Sequence, residues 1–144
     1  MKAVNSMDDE LFDFVAGELL GQGQYREVYA VRGDPTRVLK VEREARAFHN
    51  IKEYHVWQEV CEWEKGRKWL APVFDISAHG KYLVQARTVP VLARDLPKLI
   101  PAFFTDTKHQ NWGRLPDGRV VCHDFGSMRL TLKAHLVKAD WWNG

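Results

Sequence analysis

Three oxygen-bearing side chains at fixed intervals constrain this chain more than any other feature. Asp106 and Asn111 stand five residues apart, Asn111 and Asp124 thirteen, and the last belongs to the run His123-Asp124-Phe125-Gly126. A short hairpin between the two groups brings an amide, two carboxylates and Lys108 to one end. Hard divalent cations take oxygen ligands and a carboxylate can accept a proton, so the set suits metal and proton handling. Upstream, Gly21-Gln22-Gly23 precedes Val28 as a turn whose glycines let a ligand approach the backbone. Arg37 to Glu42 alternates after the breaker Gly33-Asp34-Pro35, so Val38 and Lys40 face one side of a strand. From about Glu44 to Lys65 there is no proline or glycine, and Phe48, Ile51, Trp57, Val60 and Cys61 recur at helical intervals, which predicts one continuous helix. Beyond the turn Lys65-Gly66-Arg67, the runs 70–76 and 82–85 flank His79-Gly80 and predict a β-hairpin.

These elements follow the order glycines, strand lysine, Asp-x-Lys-x-x-Asn, Asp-Phe-Gly, and from about Glu18 to Gly126 the chain resembles the protein-kinase-like superfamily. A bare Asp-Phe-Gly is a weak signal, but its joint spacing with Asp106 and Asn111 is a strong one. The resemblance implies a single α+β domain with a protein-kinase-like fold: a five-stranded antiparallel sheet with one αC-like helix over residues 9–88, and a strongly reduced second lobe over 89–144. It implies ATP and Mg²⁺ as cofactors and transfer of the γ-phosphate to a hydroxyl of a protein or small-molecule acceptor. On that basis Asn111 and Asp124 would hold the metal, Asp106 would accept the hydroxyl proton, and Lys108 would lie near the γ-phosphate. Gly21 and Gly23 would cover the phosphates, while Val28 and Val38 would pack on the adenine. Gln85 would be the gatekeeper, and Ala86 to Thr88 the hinge whose backbone reads the adenine edge.

Lys40 would pair with the α- and β-phosphates and with a carboxylate on the predicted helix. Glu53 is preferred over Glu59 for this, because Val56 and Trp57 follow it at both helical offsets, whereas Glu59 has polar Glu62 on one of them. Four departures from the family pattern limit the reading. Arg26 replaces the third glycine, sending an extra cation either toward the phosphates or into solvent. Thr105 stands where regulated kinases carry arginine, so phosphorylation-gated activation is not expected. No Ala-Pro-Glu element follows Gly126. Only 88 residues run up to and through the hinge and 18 follow Gly126, which predicts a stub of a second lobe. Pro97 and Pro101 allow residues 90–104 one short or broken helix, and 127–144 reads as a short helix or hook. Trp141 and Trp142 are its core, or else an exposed partner-binding patch. In its brevity the chain is similar to bacteriophage-type kinase-like proteins. It is also distantly similar to aminoglycoside phosphotransferases, which carry histidine where Lys108 stands. A pseudokinase-like module that binds nucleotide or docks on a partner without catalysis is the alternative.

Composition agrees with one compact domain: 45% of 144 residues are hydrophobic, including six tryptophans, which suffices for a single core. Residues 1–8 are polar and read as a frayed end lacking a secretion signal, and no stretch is long enough to span a bilayer. Two cysteines, Cys61 and Cys122, suit buried thiols in a reducing cytoplasm. The balance of 21 basic and 19 acidic side chains argues against a nucleic-acid partner. The histidines lack zinc-ligand spacing, and His109 and His123 read as loop hydrogen-bonders.

Overall fold

The structure, a computed structural model, describes residues 7–44, 47–128 and 133–143. Its centre is a five-stranded antiparallel sheet made of β1 (Ala16–Gln22), β2 (Arg26–Val31), β3 (Asp34–Glu42), β4 (Val73–Ile76) and β5 (Tyr82–Ala86), in the order β1-β2-β3-β5-β4. Alternation along β3 divides its side chains between two faces. Val28 lies opposite Lys40, and Val38 opposite Gln85, so these four share one face. Leu39, Val41, Tyr82 and Val84 share the other and form a separate buried cluster. Because both faces are covered, β5 is buried at every position.

The cover on the second face is α1 (Met7–Val15). Phe12 stacks on Tyr82 with ring centroids 5.6 Å apart, and the Tyr82 hydroxyl donates to Asp13 Oδ1 at 3.4 Å. A frayed end over residues 1–8 is thus corrected at Met7 and Asp8, which open this helix; residues 1–6 lie outside the described residues. Burying the apolar face of a strand outweighs the polar character of the helix's opening turn.

The continuous helix predicted over 44–65 is two helices, α2 (His49–Val60) and α3 (Glu64–Arg67). Phe48 precedes α2 in a left-handed conformation (φ 54°) and half-exposed, outside the core, while Trp63 adopts extended angles between the helices. The expected turn at Gly66 is therefore part of α3. Gly66 is buried where a Cβ would meet Trp63 at 2.6 Å and Val60 at 2.8 Å, so close packing keeps it helical.

The β4–β5 hairpin turns at Gly80, whose φ of +78° suits glycine. After β5, the described residues among 87–143 pack as short pieces. β6 (Val89–Pro90), β8 (Trp112–Arg114) and β9 (Val120–Cys122) form one small sheet, and β7 (Leu99–Pro101) pairs with β10 (Leu136–Lys138) in another. Between Pro90 and Phe104 the only helical piece described is one 3₁₀ turn at Ala93–Asp95. The C-terminal segment forms a strand hook; a helix there is corrected for 133–143, because pairing with β7 satisfies the backbone in extended form. Leu130 and Leu132 lie outside the described residues. Trp141 packs edge-on against Trp112 at 5.0 Å and donates Nε1–H to Pro97 O, while Trp142 is 47% exposed. Phe103, Phe104, Trp112 and Phe125 join these pieces to Val56 and Val60 of α2 in the main core.

Candidate functional site

Two adjoining cavities lie on the Lys40 face of the sheet. One, of about 220 Å³, is largely apolar and is lined by Leu20, Gly21, Val28, Val38, Gln85, Ala86 and Thr88. The other, of about 370 Å³, takes its lining from Gly23 in the β1–β2 turn, from Arg26 at the start of β2, and from Asp106, Lys108, Asn111 and Asp124. Val28, Lys40 and His123 border both. The residues singled out in the sequence therefore converge on one cleft, with Glu53 buried behind it.

Lys40 reaches across from β3 to α2, where its Nζ meets Glu53 Oε1 at 2.8 Å and also donates to the backbone oxygen of His123. Glu53 is fully buried, whereas Glu59 is exposed and far from this chemistry. Burial holds the Lys40 ammonium below the ordinary lysine range, opposed by the Glu53 carboxylate. Arg26, offered by the sequence to phosphates or to solvent, is buried instead. Its Nη1 pairs with Glu53 and donates to Asn50 Oδ1 at 3.1 Å, and its Nη2 pairs with Asp124 Oδ1 at 3.0 Å. Asn50 is the brace the sequence reading missed. Its backbone N–H donates to Glu42 at 2.6 Å, and its Nδ2 to the carbonyls of Lys40, Gly80 and Lys81 at 3.0–3.2 Å. A polar residue on the buried face of α2 was the available signal, because such a group must be hydrogen-bonded.

Asp124 opens into the cavity from the chain after β9. Partial loss of water pushes its carboxyl up, but the Lys40 and Arg26 cations more than offset this and hold it below the usual carboxylate range. Gly126 lets this segment close on α2: a Cβ there would lie 3.0 Å from His49 O and 3.5 Å from Glu53 Cβ. Opposite, Asp106 is exposed. Its Oδ1 accepts from the Lys108 backbone N–H at 3.1 Å and its Oδ2 from Asn111 Nδ2 at 3.3 Å, which ties the two ends of the loop together. The C-terminal segment clamps that loop, with His109 N–H donating to Trp142 O at 2.8 Å and the Lys108 ammonium 5.6 Å from the Trp142 ring centre.

The histidines are hydrogen-bonders, as expected. His109 Nε2 meets Val91 O at 2.6 Å. His123 meets Gln110 O through Nε2 at 2.8 Å and the Thr88 hydroxyl through Nδ1 at 2.7 Å. A carbonyl only accepts, so Nε2 carries the proton and Nδ1 receives the hydroxyl's. Burial, then the neighbouring Lys40 cation, lower the His123 imidazole to about 4, so it is neutral at pH 7. Cys122 is buried with its thiol pushed upward by burial, while Cys61 is only partly buried, and both are free.

The set suits a phosphate-bearing ligand with a hard divalent cation: Arg26 and Lys40 supply positive charge, and Asp106, Asn111 and Asp124 supply oxygens. Carbons added at Gly21 or Gly23 would meet nothing closer than 3.8 Å, so the turn lies open toward the cleft. In the apolar cavity, Gln85 Nε2 faces two acceptors, Ala71 O at 3.2 Å and Glu53 Oε1 at 3.4 Å, which assigns the amide. Its Oε1 is fully buried and has no partner among the described residues. No group of three or more histidine, cysteine or acidic side chains is poised for a metal among the described residues. No helix among them is long and apolar enough to cross a membrane. No family model matches this chain, and no curated protein matches it.

Proposed function

We propose that this protein is a minimal, protein-kinase-like phosphotransferase that uses ATP and Mg²⁺ and passes the γ-phosphate to a hydroxyl of a protein or small-molecule acceptor. One observation carries the reading: Lys40, paired with the buried Glu53 behind it, lines a cavity that Asp106, Asn111 and Asp124 also line. The adjoining apolar cavity supports it further, since Val28 and Val38 suit a flat base. Asp124 and Asn111 would hold the metal, whose bound charge would offset that developing on the transferred group. Lys40, fixed by Glu53, orients the phosphates. Asp106 is held by its own loop at a place where it can take a hydroxyl proton.

A second reading rests on a specific contact. Arg26 occupies Asp124 Oδ1, so a module that binds nucleotide or docks on a partner without transfer is the alternative. Ligand binding comes first in testing either. Millimolar Mg-ATP should raise the melting temperature, with stabilisation of about 3 kcal/mol at a hundredfold excess over the dissociation constant. Asp124→Asn should remove the metal-dependent part. A wild type whose melting does not move with ATP, with or without Mg²⁺, would refute a working nucleotide site.

A further inference from the structure

Arg26 stands where the sequence pattern calls for glycine, yet it is one of the least exposed charged groups described, at 8%. Three acceptors on two different segments hold its guanidinium: Glu53 and Asn50 from α2, and Asp124 from the chain after β9. Two of the three belong to one helix and are completely buried, so the guanidinium stays anchored whether or not Asp124 stays with it. Asp124 is different, because its side chain is 47% exposed and faces the cavity. Any cation entering from that cavity to use the Asp124 carboxylate meets a fixed positive charge already bonded to one of its two oxygens.

We propose that Arg26 is a built-in counter-cation at Asp124 that competes with a divalent metal ion, so that the first residue of β2 sets the metal affinity of the site. This rests on the reading above for its biological meaning, but the competition itself involves only Arg26, Asp124 and a metal. The physical basis is direct. A guanidinium delocalises its charge and binds carboxylate through directed N–H bonds, whereas Mg²⁺ or Mn²⁺ takes a carboxylate oxygen as an inner ligand. Arg26 already takes one acceptor position of Asp124, and a metal ion on the same carboxylate would face that like charge at close range, which weakens its binding. The same anchored charge favours anions, so a triphosphate should gain less from added metal here than in a site whose carboxylate is free.

Titration of the whole protein with Mn²⁺ alone, followed by the electron paramagnetic resonance signal of the free ion, tests this without nucleotide or activity. Arg26→Gln keeps Lys40 on Glu53, so the buried carboxylate retains a cation. It should bind Mn²⁺ at least about fivefold more tightly than wild type, and the gain should vanish in the Arg26→Gln, Asp124→Asn double variant. Arg26→Lys, which offers one ammonium in place of a fork, should show a smaller gain in the same direction and serves if Arg26→Gln does not fold. Unchanged Mn²⁺ affinity in the variant that folds, or a gain that survives loss of Asp124, would overturn the proposal and leave Arg26 as an anchor of the turn. A parallel titration of wild type with ATP in a chelator separates the two claims. Absence of ATP binding both there and with Mg²⁺ contradicts the nucleotide reading, while the Mn²⁺ result still decides the role of Arg26.

Discussion

Among the described residues, Glu53 is the carboxylate that forms ion pairs with both buried cations, Arg26 and Lys40. Removing its charge leaves two cations in a dry site with less than their counter-charge, and breaking a buried pair costs about 3–5 kcal/mol. Glu53→Gln should therefore lower the urea midpoint by an amount of that order, while Glu59→Gln, on the exposed side of the same helix, should stay within about 0.5 kcal/mol of wild type. Equal effects of the two would remove Glu53 from the centre of the network. His123 governs a separate, acid response. Folded, it takes a proton only near pH 4, whereas in the unfolded chain it does so near the ordinary 6.5, so between these values the unfolded state binds more protons. Stability present above pH 6.5 should fall as the pH drops toward 4 and level off with respect to this group below that. Melting temperatures of wild type and His123→Gln across this range check it: the variant, which can still donate to Gln110 O, should show a shallower fall.

At the scale of elements, the fit of α2 against the β4–β5 hairpin decides where Glu53 lies. Asn50 ties α2 to the carbonyls of Gly80 and Lys81, and Ile51 packs so close to Gly80 that a Cβ there would stand 2.5 Å from its side chain. Gly80→Ala adds that overlap to a φ of +78°, so it should destabilise by roughly 2–4 kcal/mol in chemical denaturation. A change below about 0.5 kcal/mol would show that the helix and hairpin are not locked together there. The strands were largely legible from sequence, because alternation around Lys40 and the turn at His79-Gly80 report local geometry. Helix bounds were less so. Nothing in the residues near Phe48 or Trp63 is a helix breaker, and only their tertiary surroundings set those ends. The N-terminal helix escaped notice because its apolar side, with Phe12, has meaning only once Tyr82 and Val84 present a bare sheet face.

For the whole molecule, the candidate site was legible because its chemistry recurs at fixed spacing: Lys40, Asp106, Asn111 and Asp124 reach one cleft from separate segments, as their order suggested. What spacing does not encode is which groups hold one another. The place of Arg26 on Glu53 and Asp124, and the brace of Asn50, arise from packing between distant segments. The C-terminal hook shows the same limit, since 136–138 become a strand only by finding β7. Under the proposed function, this small frame performs phosphoryl transfer with Asp106 as the group that receives the hydroxyl proton. The most direct measurement is transfer of label from γ-labelled Mg-ATP to acceptors in a cell lysate, comparing wild type with Asp106→Asn. That substitution is nearly isosteric and keeps a hydrogen-bonding side chain beside Lys108 and Asn111, so fold and ATP binding should persist. Transfer by wild type, falling by about 10² to 10⁴ in the variant, is the predicted result. Equal transfer by the two proteins, or none from a wild type that binds ATP, would contradict it.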